Sequence, residues 1–477
     1  MVIFFITLSL LILGILIATL PDKNARHPDS REITKENRNF PDAFIWFTGE
    51  DAYQHEEGNR NTDWAEWEEQ ETSPITDNET NEKAAFFLEH FDEDIQRAAD
   101  AGHNAHRIGI EWARVEPEVG KYDDSAFAMY ESMLTKIRDK GMKTFLNLWH
   151  FTLPKWAANV GGWESAQVAE RWRDYVSECA KRFGHLVNFW STMIDAQIFA
   201  LKGYATGEYP PFVKDLNRAV AMYDILIRAH ADAYRIIKDK AQVPEGVNTE
   251  PQIGHIYYFA WYEPKAGFPH TIAYKQMDRI FNTAFLDALY TGRLKLNVLG
   301  GPSINTEIPG AKNSLDWIGV NYYTRELIGL SLKEPGLIQR TVKAGTETTD
   351  MGWEIFPEGL YKLLHRLAKR YPEVPLYITE SGLADAQDSK RPNFILEHLA
   401  WTHQCIQEGL PVRGFAYWSW TDNWEWHEGY WPKFGLYEVD RKTGERIERP
   451  SARLYKWITE HNKLPSESER ESLLNKT

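Results

Sequence analysis

From about residue 44 onward, short apolar or aromatic runs alternate with longer amphipathic ones. FIWFTGE (44–50), AHRIGI (105–110), TFLNLWH (144–150) and NFWSTMI (188–194) predict strands. So do IGHIYYF (253–259), DWIGVNYY (316–323), PLYITES (375–381) and RGFAYWSW (413–420). Most lack strict alternation, as strands covered on both faces do. Between them, EHFDEDIQRAADAG, SAFAMYESMLTKIRDKG and NFILEHLAWTHQCIQEG read as helices, each ending in Gly, a frequent helix stop. Eight such alternations predict an α/β fold, a single (β/α)8 TIM barrel over residues 40–462. The rival is an open doubly wound sheet, which no Gly-rich first turn supports, and no solenoid period is visible. Residues 463–477 (KLPSESERESLLNKT) are polar and read as a loose tail.

Chemistry in such a barrel gathers where strands end. Gln54 falls just past the first predicted strand and Arg107 within the second, while His150, Asp195, Tyr323, Glu380 and Trp418 belong to the third, fourth, sixth, seventh and eighth. Any one of them alone is equally well an ordinary rim residue. Seven strands delivering polar or aromatic groups to one mouth is the signal.

Composition narrows the function classes. A formal charge of −15 argues against nucleic acid, which needs a basic face. The 19 Trp and 22 Tyr suit sugar faces, although most single rings are core. Cys179 and Cys405 are the two cysteines, too few for a disulfide framework or a cysteine zinc site. No HExxH, P-loop or dinucleotide fingerprint stands in a convincing context, so no metal or other cofactor is implied. MVIFFITLSLLILGILIATL (1–20) is free of charge and proline and long enough to span a bilayer core as a helix. A cleaved signal peptide is the competing reading, but a basic n-region and an A-x-A site are missing. Lys23, Arg26, Arg31, Lys35 and Arg38 follow in a juxtamembrane linker (21–39). The positive-inside rule then predicts a membrane-anchored, single-pass protein with its globular part on the cytoplasmic side. NET at Asn78 fits a glycosylation sequon but is too short to decide the compartment.

Several segments resemble glycoside hydrolase family 1, and the likeness runs from about Phe40 to Trp457. FPDAFIWFTGEDAYQHEEG resembles the family's first strand and AYQ-containing loop, HRIGIEWARVEP its second-strand segment, and LWHFTLPKWA with GGW its His-containing loop. IGVNYYT, YITESG and WSWTDNWEW followed by GYWPKFGL complete six motifs in family order. The resemblance implies a retaining double displacement on β-linked sugars, with a small-molecule glycoside or a glycolipid as partner; it leaves the oligomeric state open. Glu380 in ITESG would be the nucleophile. Arg107 and Tyr323 match positions that orient it and lower its pKa by opposite charge and hydrogen bonding. Gln54, His150, Asn321, Trp418, Glu425, Trp426 and Phe434 match substrate-binding positions, with Gln54 and Glu425 on vicinal hydroxyls and Trp418 as a flat floor.

The departures carry as much weight. Trp190, Thr192, Phe199, Ala200, Leu201, Gly203 and Tyr204 keep the fourth-strand segment in step, yet the family's Asn-Glu-Pro is Ile194-Asp195-Ala196 here. Asp195 in the acid/base position is one methylene short, about 1.5 Å. Retaining pairs stand about 5–5.5 Å apart and inverting pairs about 6.5–9.5 Å, so an unadjusted Asp195 opens the pair. Ile194 removes an amide that would touch the sugar 2-hydroxyl; Ser381 replaces Asn, and Phe151 replaces Trp. Three readings stay open: an active but altered β-glycosidase, a non-catalytic sugar-binding barrel, and a transglycosylase of a membrane glycolipid. The third draws on residues 1–20 and on the similarity of VPLYITESGLAD and RPNFILEHL to the plant galactolipid-remodelling branch.

Overall fold

The computed structural model describes residues 39–71, 73, 75–245, 250–333 and 337–474. The charge-free run 1–20, read above as an anchor, and residues 21–38 of the juxtamembrane linker lie outside the described residues. Among the described residues no helix is long and apolar enough to cross a membrane.

All eight predicted strands form. They are β1 (Ile45–Phe47), β2 (Ala105–Gly109), β3 (Lys143–Asn147), β4 (Phe189–Ile194), β5 (Gln252–Pro264), β6 (Trp317–Leu330), β7 (Leu376–Ser381) and β8 (Val412–Tyr417). Pairing is parallel in the order β1-β8-β7-β6-β5-β4-β3-β2. Backbone bonds close the seam: Arg107 N donates to Thr48 O at 3.2 Å and Glu50 N to Arg107 O at 3.0 Å. This is a parallel eight-stranded barrel of TIM type.

Its lower interior is solid. Every strand sends a residue inward, among them Phe47, Ala105, Phe145, Phe189, Ile256, Trp317, Tyr377 and Ala416. Phe145 stacks on Phe47 at 4.7 Å and on Phe189 at 4.3 Å, and the edge of Trp317 closes the layer at 5.6 Å. Alternate residues such as Ile108, Leu146, Ile318 and Ile378 point outward to the helices. Helix Asp124–Asp139 shows why those helices form. Asp123 accepts from Ser125 N and Ala126 N, a cap worth about 1 kcal/mol, and Phe127, Tyr130, Leu134 and Ile137 bury one face. Helices Phe87–Asp100 and Arg391–Gln407 likewise stop just before their predicted glycines.

Two expectations need correction. β5 and β6 run well past 259 and 323, because Trp261 to Pro264 keep pairing with Arg325 to Ile328 above the rim, and Ile338–Thr341 adds an antiparallel third strand. The polar stretch after Lys463 is not loose throughout. Glu467–Leu474 is a helix opened by a reciprocal cap, Ser466 N to Glu469 Oε2 at 2.7 Å and Glu469 N to Ser466 Oγ at 3.3 Å.

Candidate active site

Simple alternation explains how β2 and β6 supply the site. In β2, Ala105 and Arg107 face inward. In β6, Trp317 fills the lower core, Asn321 reaches Asp195, and Tyr323 reaches Glu380, all on one face of the strand. Alternation fails for the two carboxyls, and local irregularity replaces it. Ile378 points outward, so Glu380 would too, but the register of β7 shifts between Ile378 and Glu380 against β6 and between Ile378 and Ser381 against β8. Bulges of this kind re-aim side chains beside active sites. Ile194 already faces the inner core, and Asp195 turns inward only because its backbone is left-handed (φ 53°), a region that Asp tolerates better than most residues. Phe151 (φ 66°) and Trp426 (φ 52°) are left-handed as well, a conformation costly for bulky side chains. Gly382 cannot carry a side chain, since a Cβ there would lie 1.8 Å from Trp418 O.

These elements enclose a cavity of about 320 Å³. Gln54, His150, Asp195, Tyr323, Glu380, Trp418, Glu425, Trp426 and Phe434 line it, which brings nine of the predicted residues together. Arg107 and Asn321 stand behind this surface and touch its carboxyls instead. Arg107 Nη2 donates to Glu380 Oε1 at 2.8 Å, and Tyr323 Oη donates to Glu380 Oε2 at 2.6 Å. Asp195 has a looser partner: Asn321 Nδ2 donates to its Oδ1 at 3.3 Å, while Asn321 Oδ1 accepts from Thr379 Oγ1 at 2.9 Å.

Charge in this space is set by burial first. Burial pushes the Asp195 carboxyl up, the Glu380 charge pushes it further, and it ends well above the usual carboxylate range. Burial also raises Glu380, against the pull of Arg107 and the Tyr323 hydrogen bond. Arg107 and Tyr323 each lower it, as expected, but desolvation exceeds them and the net direction is up. Glu425 is pushed up to about 8 by burial and then by Glu380. Gln54 is only half free, because its Nε2 donates to Trp424 O at 2.9 Å and Asn423 Oδ1 at 3.3 Å. Its buried Oε1, with no partner among the described residues, is left to accept.

One group in this network escaped the reading of the sequence. Asp51, fully buried, puts Oδ2 3.1 Å from Arg107 Nη2 and 3.2 Å from His150 Nδ1. Burial alone would raise it, but Arg107 and His150 outweigh that and hold it down at about 2. Arg107 is thus shared between two carboxylates, its guanidinium 5.3 Å from the Trp418 ring. Tyr258, near the end of the predicted fifth strand, and Met351 and Trp353, from a long loop, also line the cavity, although no motif pointed to them. Among the described residues no cluster of His, Cys, Asp or Glu is arranged to hold a metal ion.

The model of glycosyl hydrolase family 1 matches residues 36–464. A β-galactosidase of Pyrococcus woesei is 30% identical over 91% of this chain and 99% of its own length. β-Glucosidase A of Thermotoga maritima is 27% identical over 90% of this chain and 99% of its own. Among solved structures, a β-glycosidase from Pyrococcus horikoshii superposes with a TM-score of 0.82 at 32% identity, covering 92% of this chain and 99% of that one. The Thermotoga maritima β-glucosidase in complex with glucoimidazole gives 0.80 at 26%, over 89% and 100%.

Proposed function

The chain belongs to glycosyl hydrolase family 1 and is a glycoside hydrolase; from that premise we propose a β-glycosidase that works through Glu380 as nucleophile and the shortened Asp195 as acid/base. The observation that carries this reading is the pairing of a carboxylate gripped by Arg107 and Tyr323 with a second, proton-holding carboxyl on the same cavity. Glu380 bonds to the anomeric carbon as the bond from that carbon to the aglycone oxygen breaks. The released electron pair takes the Asp195 proton. Water then attacks the anomeric carbon, gives its proton to Asp195 and frees Glu380. Ile194, packed in the inner core, offers nothing to the sugar 2-hydroxyl. Gln54 Oε1 and Glu425 serve the other hydroxyls.

The relatives' names make β-glucosides and β-galactosides the first substrates to try. The test is incubation with 2-fluoro derivatives of these activated glycosides and mass spectrometry of the peptides. Glycosylation of Glu380, with product of retained β-configuration by NMR, supports the reading. An inverted anomer, or label elsewhere, overturns it. A non-catalytic sugar-binding barrel is favoured by one observation, the joint absence of Asn and Glu at 194–195. It requires sugar affinity with no turnover of any activated glycoside. The anchored, cytoplasm-facing location stays a proposal from residues 1–38, which alkaline carbonate extraction and protease protection would test.

A further inference from the structure

A second cavity, about 570 Å³, adjoins the first, and Leu201, Lys202, Glu208 and Arg340 line both. Its character is different. Away from the shared wall it is lined chiefly by apolar side chains, including Val220, Met277, Phe281, Leu296 and Val298, which are buried. Two π-helical turns shape it. Thr206 N bonds to Leu201 O, closing the turn Ala200–Ala205, and Ala284 N bonds to Arg279 O, closing the turn Arg279–Thr283. Such turns are rare and favour functional sites, and here both contribute to one cavity: Ala200, Leu201, Lys202 and Ala205 from the first, Ile280 and Phe281 from the second. The first follows directly on the helical turn after Asp195, so the acid and the cavity wall belong to one continuous segment. The charged heads at the shared wall are tied down. Lys202 Nζ donates to Tyr209 Oη at 3.1 Å, and Arg340 is held by two bonds of 2.6 Å to Glu326.

We propose that this second cavity is an aglycone site for a long apolar chain, so that the preferred substrate is an amphiphilic β-glycoside whose sugar lies against Glu380 and whose alkyl tail lies between the two π-turns. The proposal rests on the glycosidase reading for where the sugar sits. The volume is within the range of about 300–1,000 Å³ that holds drug-sized ligands. Each methylene buried there is worth about fourfold in affinity before ordering costs. The wall of Leu201, Lys202, Glu208 and Arg340 shared with the sugar cavity is what selects an attached chain over a free hydrophobic ligand.

The test measures binding, so it stands apart from turnover. Methyl, butyl and octyl 1-thio-β-glucosides and 1-thio-β-galactosides, which resist hydrolysis, are titrated calorimetrically below micelle formation. The octyl compound of one sugar is expected to bind at least about tenfold tighter than the methyl, with the negative heat-capacity change of apolar burial. Val220→Trp and Leu296→Trp, on different elements of the lining, should each bring the octyl-to-methyl ratio towards one. The ratio itself controls for misfolding, since a variant that fails to fold loses the methyl ligand as well; retention in either folded variant suffices for the test. Equal affinities across chain lengths in the wild type, or a ratio untouched by both substitutions, overturn the proposal and leave Glu380 chemistry standing. Absence of turnover alongside the tenfold preference would instead sink the glycosidase reading alone.

Discussion

Glu380 at the end of β7 and Asp195 at the end of β4 share a cavity but are housed unlike one another. Glu380 receives a guanidinium at 2.8 Å and a phenol at 2.6 Å, whereas Asp195 receives one amide at 3.3 Å above a layer that contains Ile194. Both carboxyls are raised by burial, yet only Asp195 lacks a cation beside it and carries the further push of Glu380. The proton therefore belongs on β4 and the negative charge on β7. That is the allocation which a nucleophile and an acid require. The difference teaches that the weakness of the β4 side is not supply of a proton. On the function proposed above, it is the reach of Asp195 and the amide that Ile194 does not supply.

The largest effect falls on the gripped carboxylate. Glu380→Gln removes the proposed nucleophile while keeping its volume, and turnover of an activated aryl glycoside should fall by about 10⁴-fold or more. Retention of a tenth of the activity would remove Glu380 from the mechanism. On the other side the same logic gives a gain. Ile194→Asn with Asp195→Glu restores reach and the amide, so alkyl glycosides should be hydrolysed about 10²–10⁴-fold faster, and substrates with acidic leaving groups much less so. Equal gains on both substrate kinds would show that proton delivery is not what limits the β4 side.

Much of this was legible in the sequence, and what was not has physical reasons. Strand positions showed as short apolar runs without strict alternation, and Arg107, Asn321 and Tyr323 came from strand ends and the family motifs; period-two geometry explains why the structure turns them inward. Glu380 faces the cavity against alternation through a register shift, and Asp195 faces it after alternation has broken at Ile194, through a left-handed residue; both depend on neighbouring strands. The motifs identified both residues; counted from Tyr377 the pattern alone would have turned Glu380 outward, whereas for Asp195 it breaks at Met193 and Ile194 and gives no direction. The length of β5 and β6 was missed because it depends on pairing above the rim, a tertiary contact. Asp51 was missed because 56 residues separate it from Arg107, and an acid beside AYQ looks like surface until its burial is known. The helix at 467–474 did have a signal: Ser466 and Glu469 spell a capping box within a stretch that composition marked as a tail.

A smaller effect tests the grip itself. Tyr323→Phe deletes one hydrogen bond to a charged group, worth about 1.5–3 kcal/mol, and should lower kcat/KM by about 10–150-fold. Since the phenol holds Glu380 down against burial, its loss raises that carboxyl further, and the acid limb of the kcat/KM profile moves to higher pH. A profile that keeps its limb while losing rate would mean that the phenol acts on the sugar and not on Glu380.

Asp51→Asn should have the smallest effect on rate and the opposite sign on pH. The Asp51 charge pushes Glu380 up and competes for Arg107, so its removal lets the guanidinium serve Glu380 alone. The Glu380 carboxyl then ionises at lower pH, and the acid limb moves down, with a change of less than about tenfold at the optimum. The wild type is a sound reference for this measurement. Asp51 is held at about 2, below its ordinary 3.8, so the stability it lends is complete above that ordinary value and is lost only as pH falls towards 2. Its ion pair therefore persists through any pH range in which Glu380 titrates. His150 loses its carboxylate neighbour in the same variant, so KM should rise while kcat is nearly kept, the mark of a positioning residue behind the sugar site. An acid limb that stays fixed or moves up would mean that Arg107 is not shared in the way its two contacts indicate, and the β7 side would then owe its charge to Arg107 and Tyr323 alone.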